Sequence, residues 1–148
     1  PITHPEMTRF NISLEDGVKL VLYSLENAIG GETFVPKIPS YRIMDLAEAI
    51  GPDCEHKVIG IRPGEKIHEE MVTSNDSFNC IETESNFIIF LVNPFRDFEY
   101  SLNRFADHYK ASRVQPNFSY SSDANTDWLE VDEIRELVKA HVDPSFSV

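Results

Sequence analysis

Arg62 and Glu65 stand three residues apart in the stretch 59–71, I-G-I-R-P-G-E-K-I-H-E-E-M, with a proline and a glycine between them. A guanidinium grips phosphate bidentately and a carboxylate accepts from hydroxyls, so the pair suits a nucleotide, with arginine on phosphate and glutamate on ribose. The plainer reading is that Glu65 complements a helix N-terminus and Arg62 pairs with it on the surface. The flanking pattern has to position both. From Lys57 the chain alternates polar and apolar and reads as a short strand ending at Arg62. Pro63 and Gly64 stop it, because proline offers no ladder donor and glycine admits turn geometry. From Glu65 the spacing turns helical, with Ile67 and Met71 four apart and Lys66, Glu69 and Glu70 on the other sides.

Other chemistries find less support. His68-Glu69 begins an H-E-x-x-H zinc motif, but position 72 is Val72 and the remaining histidines are scattered, so no metal site is expected. His68 reads as packed or hydrogen-bonded rather than catalytic. Asp132, Glu133 and Glu136 read as a solvated helix face near a positive N-terminus.

The chain has 148 residues, 41% of them hydrophobic, enough for one domain with a real core, spanning 1–148 with an irregular C-terminal extension from about 93. A formal net charge of -12 argues against nucleic acid, whose phosphates need a basic surface. It also repels the phosphates of a nucleotide, so such a site must be locally basic. One contact pair near the surface is worth roughly 4 kcal/mol, and salt screens charges beyond roughly 8 Å. Cys54 and Cys80 are too few for a disulfide framework and read as free thiols in a reducing cytosol. The longest apolar run, 87–92, is too short to cross a bilayer, and no signal-peptide pattern opens the chain, so the expectation is a cytoplasmic protein without a membrane partner. Pro1 in place of an initiator methionine suggests a cut or engineered beginning.

Along the chain, Ser13 and Asp16 form a near capping box, and Leu14, Val18, Leu22, Leu25 and Ile29 place an apolar stripe on a helix that Gly30 and Gly31 end. Residues 33–35 read as a strand stopped by Pro36 and Pro39. Ser40 caps a helix over 41–50 with Ile43, Leu46, Ala47 and Ile50 at helical spacing, which Gly51 and Pro52 terminate. Residues 72–79 are polar and turn-rich. Two strands, 80–84 and 87–92, flank Ser85 and Asn86, and Asn93 and Pro94 close that pair. Leu102, Phe105 and Tyr109 suggest a further helix, and 112–127 reads as a long loop. Trp128 and Leu129 anchor a last helix with Ile134, Leu137, Val138 and Val142 inward, its start weakly capped by Glu130.

R-P-G-E-K-I-H-E, taken with M-T-R-F at 7–10, F-V-P-K-I-P-S at 34–40 and Y-S-S-D-A-N-T-D-W-L at 120–129, resembles the C-terminal half of the inverting UDP-N-acetylglucosamine 4,6-dehydratases of pseudaminic acid biosynthesis, within the extended short-chain dehydrogenase/reductase superfamily. Sister enzymes that make other 6-deoxy sugars are expected to carry H-G-E-K in place of 63–66 and a less proline-rich segment in place of 34–40. The resemblance covers nearly the whole chain. It implies an α/β substrate-binding part of short strands and about four to five helices, lacking the Rossmann half. It also implies a UDP-sugar partner held by Arg62, Glu65 and Arg9, the last placed in the loop before the first helix as a second cation for the diphosphate. Read without the resemblance, Arg9 is a solvated arginine near a helix start.

The resemblance implies NADP as cofactor of the parent enzyme, yet none of the six glycines forms G-x-x-G-x-x-G or G-x-G-x-x-G. The superfamily's Tyr-x-x-x-Lys is absent too: Tyr23, Tyr41, Tyr100, Tyr109 and Tyr120 all lack a lysine four residues on. No catalytic, cofactor-binding or metal residue is therefore assigned to this chain. One hypothesis is a substrate-binding portion whose catalytic half was removed or is encoded separately. The alternatives are a stand-alone nucleotide-sugar-binding or assembly module, or the corresponding half of a related nucleotide-sugar epimerase. Family topology further sends the strand 33–35 and the stripe of the helix 41–50 against a sheet outside this chain. The expected partner of that face is the missing half or a second copy of the chain in a homo-oligomer.

Overall fold

The computed structural model describes residues 1–92, 94–95 and 97–148, so Asn93 of the expected closing turn lies outside the described residues. Within them the order is β1 (Thr8–Phe10), α1 (Leu14–Asn27), β2 (Thr33–Pro36), β3 (Ser40–Arg42), α2 (Ile43–Ile50) and β4 (Glu70–Val72). A 3-10 turn (Asp76–Asn79), β5 (Cys80–Glu82), β6 (Asn86–Ile89), α3 (Phe98–Tyr109), β7 (Ser112–Arg113), β8 (Tyr120–Ser121) and α4 (Val131–His141) follow. This is a mixed α/β chain with short antiparallel strands. None of the described helices is long and apolar enough to cross a membrane. The stretch beyond 93, expected as an irregular extension, carries α3 and α4. The chain divides into two compact units. Pro1–Ser13, Ile38–Glu69 and Ser121–Val148 form the first; Leu14–Lys37 and Glu70–Tyr120 form the second.

In the first unit β1 pairs antiparallel with β3, Arg9 opposite Tyr41. Ser40, expected as a helix cap, is instead the fully buried first residue of β3. Its amide donates to Asp127 O (2.9 Å), its carbonyl accepts from Leu129 N (2.8 Å) and its hydroxyl accepts from Asn125 Nδ2 (3.0 Å). With its polar groups committed to that segment, Ser40 is unavailable as a cap, and the helix begins at Ile43. α2 packs on α4, where Ile134 is buried, so its apolar face is covered in part by this chain, Ala49 being buried and Ile50 53% exposed. Arg135 of α4 donates to the carbonyls of Ala49 (3.3 Å) and Glu48 (3.4 Å), placing a cation on the negative end of α2. At the start of α4 Glu133 accepts the Glu130 amide at 2.9 Å, so the weak cap residue is supported from three positions on.

In the second unit the sheet order is β2-β6-β5-β7, all antiparallel. The neighbour of β2, expected outside the chain, is therefore β6 of this chain. Thr83 turns the β5–β6 hairpin by accepting the Asn86 amide (2.9 Å) and donating its own to Asn86 O (2.8 Å). Ile81 and Ile88 of the hairpin, with Phe90, bury themselves against Leu102 and Phe105 of α3, and Phe90 stacks on Phe105 at 5.1 Å. Asp97 caps α3 by accepting from Glu99 N, and Lys110 ends it at φ 51. The expected loop 112–127 is anchored by Phe118 and Tyr120, each within 5.0 Å of the Phe87 ring. Glu32 accepts from the Tyr109 hydroxyl and from Ile29 N (2.6 Å). Burial works against the Glu32 charge, but these donors outweigh it and hold the carboxyl below its ordinary range, while burial and then Glu32 push Tyr109 up. The stripe of α1 behaves unlike those of the other helices: no α1 residue is buried, and Leu14, Val18, Leu22 and Leu25 face water.

Cys80 is fully buried in β5, and burial pushes its thiol up to about 12, whereas Cys54 is exposed. A disulfide-exchange reagent at pH 8 is expected to titrate one thiol in the native chain and two in denaturant. Two fast-reacting native thiols would show that the sheet opens readily.

Candidate functional site

Residues 59–69 form neither the expected strand nor the expected helix. Val58 makes one parallel bridge to Ile2, and the chain then runs irregularly to a turn at Pro63 and Gly64. Gly64 adopts φ +84, a conformation that strains a residue with a side chain. Glu65 N donates to Arg62 O at 3.1 Å, and the Glu65 carboxylate accepts Arg62 N through Oε2 at 2.9 Å. The turn is thus closed by the Glu65 amide and carboxylate on the main chain of Arg62, which is neither a helix start nor a side-chain ion pair. A helix from Glu65 would send the carbonyls of Lys66 and Ile67 to amides four residues on. Here Arg9 takes both, Nη2 to Lys66 O at 2.9 Å and Nη1 to Ile67 O at 3.0 Å, and Thr8 N also donates to Ile67 O at 3.0 Å. That competition is why the helical spacing of Ile67 and Met71 goes unused.

Arg9 lies in the middle of β1, not in a loop before α1. Its guanidinium also donates to Thr8 O (2.6 Å) and to Met7 Sδ (3.0 Å), and its Nε lies 3.7 Å from Glu69 Oε1. The other oxygen of Glu69 accepts Phe10 N at 2.9 Å. Tyr41, opposite Arg9, is half-buried; burial and then the Glu69 carboxylate push its phenol above the ordinary value, with Arg9 pulling the other way.

Beneath this edge lies a small polar chain. Glu69 N donates to Ser122 Oγ (2.9 Å), Ser122 Oγ bonds Thr8 Oγ1 (2.6 Å), and Thr8 Oγ1 bonds His68 Nδ1 (2.9 Å). Each of the two hydroxyls is thus bonded on both sides, whichever way the protons run along the chain. Ser122 and Thr8 are buried and bonded on both sides, so this hydroxyl–imidazole pair is a brace and not an accessible nucleophile.

The turn presents different chemistry. Arg62 and Lys66 are exposed, and neither side chain has a hydrogen bond or ion pair to the described residues. Glu65 has one oxygen engaged in the turn. Two unpaired cations and a carboxylate on a self-closing turn match a ligand that combines anionic groups with hydroxyls. All three predicted site residues fall in the first unit, with Arg9 reaching the residue next to Glu65. Sequence reasoning missed Lys66 as a cation and missed the brace. Lys66 had a signal, its place beside Arg62 and Glu65; Ser122, more than fifty positions from Glu69, had none. Among the described residues no group of three or more His, Cys, Asp or Glu side chains gathers in a metal-binding arrangement.

Comparison with known proteins adds the following. The sequence profile of a family described as "Polysaccharide biosynthesis protein" matches residues 1–90. A UDP-N-acetylglucosamine 4,6-dehydratase (inverting) of Campylobacter jejuni subsp. jejuni is 48% identical over 140 residues, covering 93% of this chain and 41% of that protein. A UDP-glucose 4-epimerase of Rickettsia felis is 35% identical over 141 residues, covering 93% of this chain and 40% of the epimerase. The X-ray structure of Pen from Bacillus thuringiensis superposes with a TM-score of 0.71 at 29% identity, over 94% of this chain and 39% of that one. The chain thus spans about two fifths of the length of the curated relatives it matches.

The brace yields a measurable consequence. Thr8→Val keeps the shape and removes the hydroxyl shared by Ser122 and His68, and is expected to destabilise the chain by about 1–3 kcal/mol in urea unfolding. An unchanged midpoint would mean that the buried hydroxyls contribute nothing net.

Proposed function

The chain belongs to the polysaccharide biosynthesis protein family, and we propose that it is the substrate-holding portion of an inverting UDP-N-acetylglucosamine 4,6-dehydratase feeding pseudaminic acid and surface-glycan synthesis. The Arg62–Glu65 turn carries the reading. Arg62, exposed and without a protein partner among the described residues, is the cation for the UDP diphosphate, with Lys66 as a further exposed cation on the same turn. Glu65 offers its remaining oxygen to the ribose hydroxyls while the other keeps the turn closed. Arg9 serves as a second cation on the diphosphate; to do so it exchanges a bond to the Lys66 or Ile67 carbonyl for one to a phosphate oxygen. The identity to the dehydratase exceeds that to the epimerase over nearly the same span, which favours the first chemistry over the second.

NADP, when bound, supplies the hydride acceptor for such a reaction. The residues of this chain do not fit that cofactor. A dinucleotide turn opens a helix with glycines, whereas Gly30 and Gly31 follow the end of one, and no other glycine pair stands next to a helix N-terminus. In our reading the cofactor and the Tyr-x-x-x-Lys both lie in sequence beyond this chain's span. The location that goes with this reading is the cytoplasm, and a homo-oligomer is part of it.

Two outcomes test the proposal. Purified chain supplied with NADP and UDP-N-acetylglucosamine is expected to form no product, and turnover free of contaminating enzyme would overturn the division of labour. Titration of UDP into the chain by calorimetry is expected to lose roughly 1.5 to 3 kcal/mol with Arg62→Ala and less with Glu65→Gln. Equal affinity of both variants and the parent would return the turn to a purely structural role.

A further inference from the structure

Tyr41 places a second kind of donor beside Arg9. The two are register partners in the β1–β3 pair. Directly opposite residues of an antiparallel pair send their side chains to the same face of the sheet, so the phenol and the guanidinium are neighbours. Glu69 flanks both, its carboxylate facing Arg9 Nε at 3.7 Å and acting through space on the Tyr41 phenol. The phenol is nonetheless uncommitted. A half-buried tyrosine ordinarily finds a partner for its hydroxyl, yet among the described residues the Tyr41 hydroxyl has none. The two Glu69 oxygens serve Phe10 N and Arg9 instead. The Tyr41 oxygen is not sealed in the interior either, so an outside acceptor can reach it. Burial, ahead of the Glu69 charge, raises this phenol, so it keeps its proton through the neutral range and acts as a donor.

Arg9 is in the reverse condition. Its Nη1 donates to Thr8 O and Ile67 O, its Nη2 donates to Lys66 O and Met7 Sδ, and its Nε faces Glu69. A guanidinium carries five N–H groups, so each of them is already directed at a protein acceptor. The side chain is only 21% exposed, and any bond that Arg9 makes to an incoming group is taken from one inside the protein. The two neighbours are therefore complementary. Arg9 supplies positive charge, which acts without a vacant N–H, and Tyr41 supplies a hydrogen bond that breaks nothing in the protein. An acceptor that answers both is an anionic oxygen, and a bond to such an oxygen is stronger than one between neutral groups.

We propose that Tyr41 is a further ligand-binding residue of this site, its hydroxyl donating to a phosphate oxygen of the nucleoside diphosphate that Arg9 attracts. The assignment rests on the nucleotide-sugar reading above and deepens it: beside the cations it adds a neutral donor that reads the phosphate by direction as well as by charge.

The test separates Tyr41 from the turn. UDP and uridine are titrated by calorimetry into the parent chain, Tyr41→Phe and Arg62→Ala. Tyr41→Phe keeps the ring and removes only the hydroxyl; it is expected to weaken UDP binding about tenfold or more and to leave uridine binding unchanged. In a second measurement the parent chain carries tyrosine isotope-labelled at the phenolic carbon Cζ, and the Tyr41 resonance is identified as the one that Tyr41→Phe lacks. That resonance is expected to shift with UDP and with inorganic pyrophosphate, and to stay in place with uridine. UDP affinity that falls with Arg62→Ala but not with Tyr41→Phe overturns this proposal and leaves the reading of the turn standing. A Tyr41 resonance that neither UDP nor pyrophosphate moves overturns it too, whatever the affinities, and gives the phenol to another partner. Equal weakening of UDP and uridine sets the phenol against the nucleoside and overturns the phosphate assignment. A parent chain without affinity for UDP overturns the nucleotide-sugar reading and the Tyr41 assignment with it.

Discussion

The first unit depends on a strand of three residues. In β1 each of Thr8, Arg9 and Phe10 sends at least one polar group to the segment 66–69: Thr8 through its amide and hydroxyl, Arg9 through its guanidinium, Phe10 through its amide. Such a segment has no ladder of its own, and a backbone without internal hydrogen bonds holds shape only where something else satisfies its donors and acceptors. Here one arginine takes two consecutive carbonyls and one glutamate returns an acceptor to the strand. The turn at Pro63 and Gly64 can therefore remain irregular and solvent-facing while its base stays fixed.

This dependence explains which features were legible in the sequence. Helices ended by glycine, the hairpin around Ser85 and Asn86, and the inward residue Ile134 of α4 follow from local periodicity and turn chemistry. The helix at Glu65 failed because periodicity describes where side chains would lie, and says nothing of a distant donor competing for the carbonyls. Ser40 failed in the same way: a serine before an apolar run is a good cap only while its polar groups are not claimed by Asn125, Asp127 and Leu129. Arg9 was found by resemblance to family motifs, yet its position in a strand and its bonds to Lys66 and Ile67 had no local signature.

The second unit shows the opposite balance. Its sheet and α3 meet through aromatic and aliphatic side chains spaced as strands and helices require, so pattern alone located most of the core. Pattern could not assign the outward face of α1. An apolar stripe on a helix states that the face is to be covered, and leaves open whether the cover comes from the same chain.

The margins of the second unit's sheet have a consequence for how the chain behaves when crowded or partly unfolded. One outer strand, β2, is four residues long and ends in Pro36, followed by Lys37 paired with Glu82; the other, β7, is two residues long and contains Arg113. Neither offers a run of unsatisfied amides long enough to recruit a further strand, and the proline and the cations act as stops on stacking. Margins of this kind disfavour edge-to-edge growth of the sheet, whose central strands, C-I-E and N-F-I-I, are composed of residues that favour it.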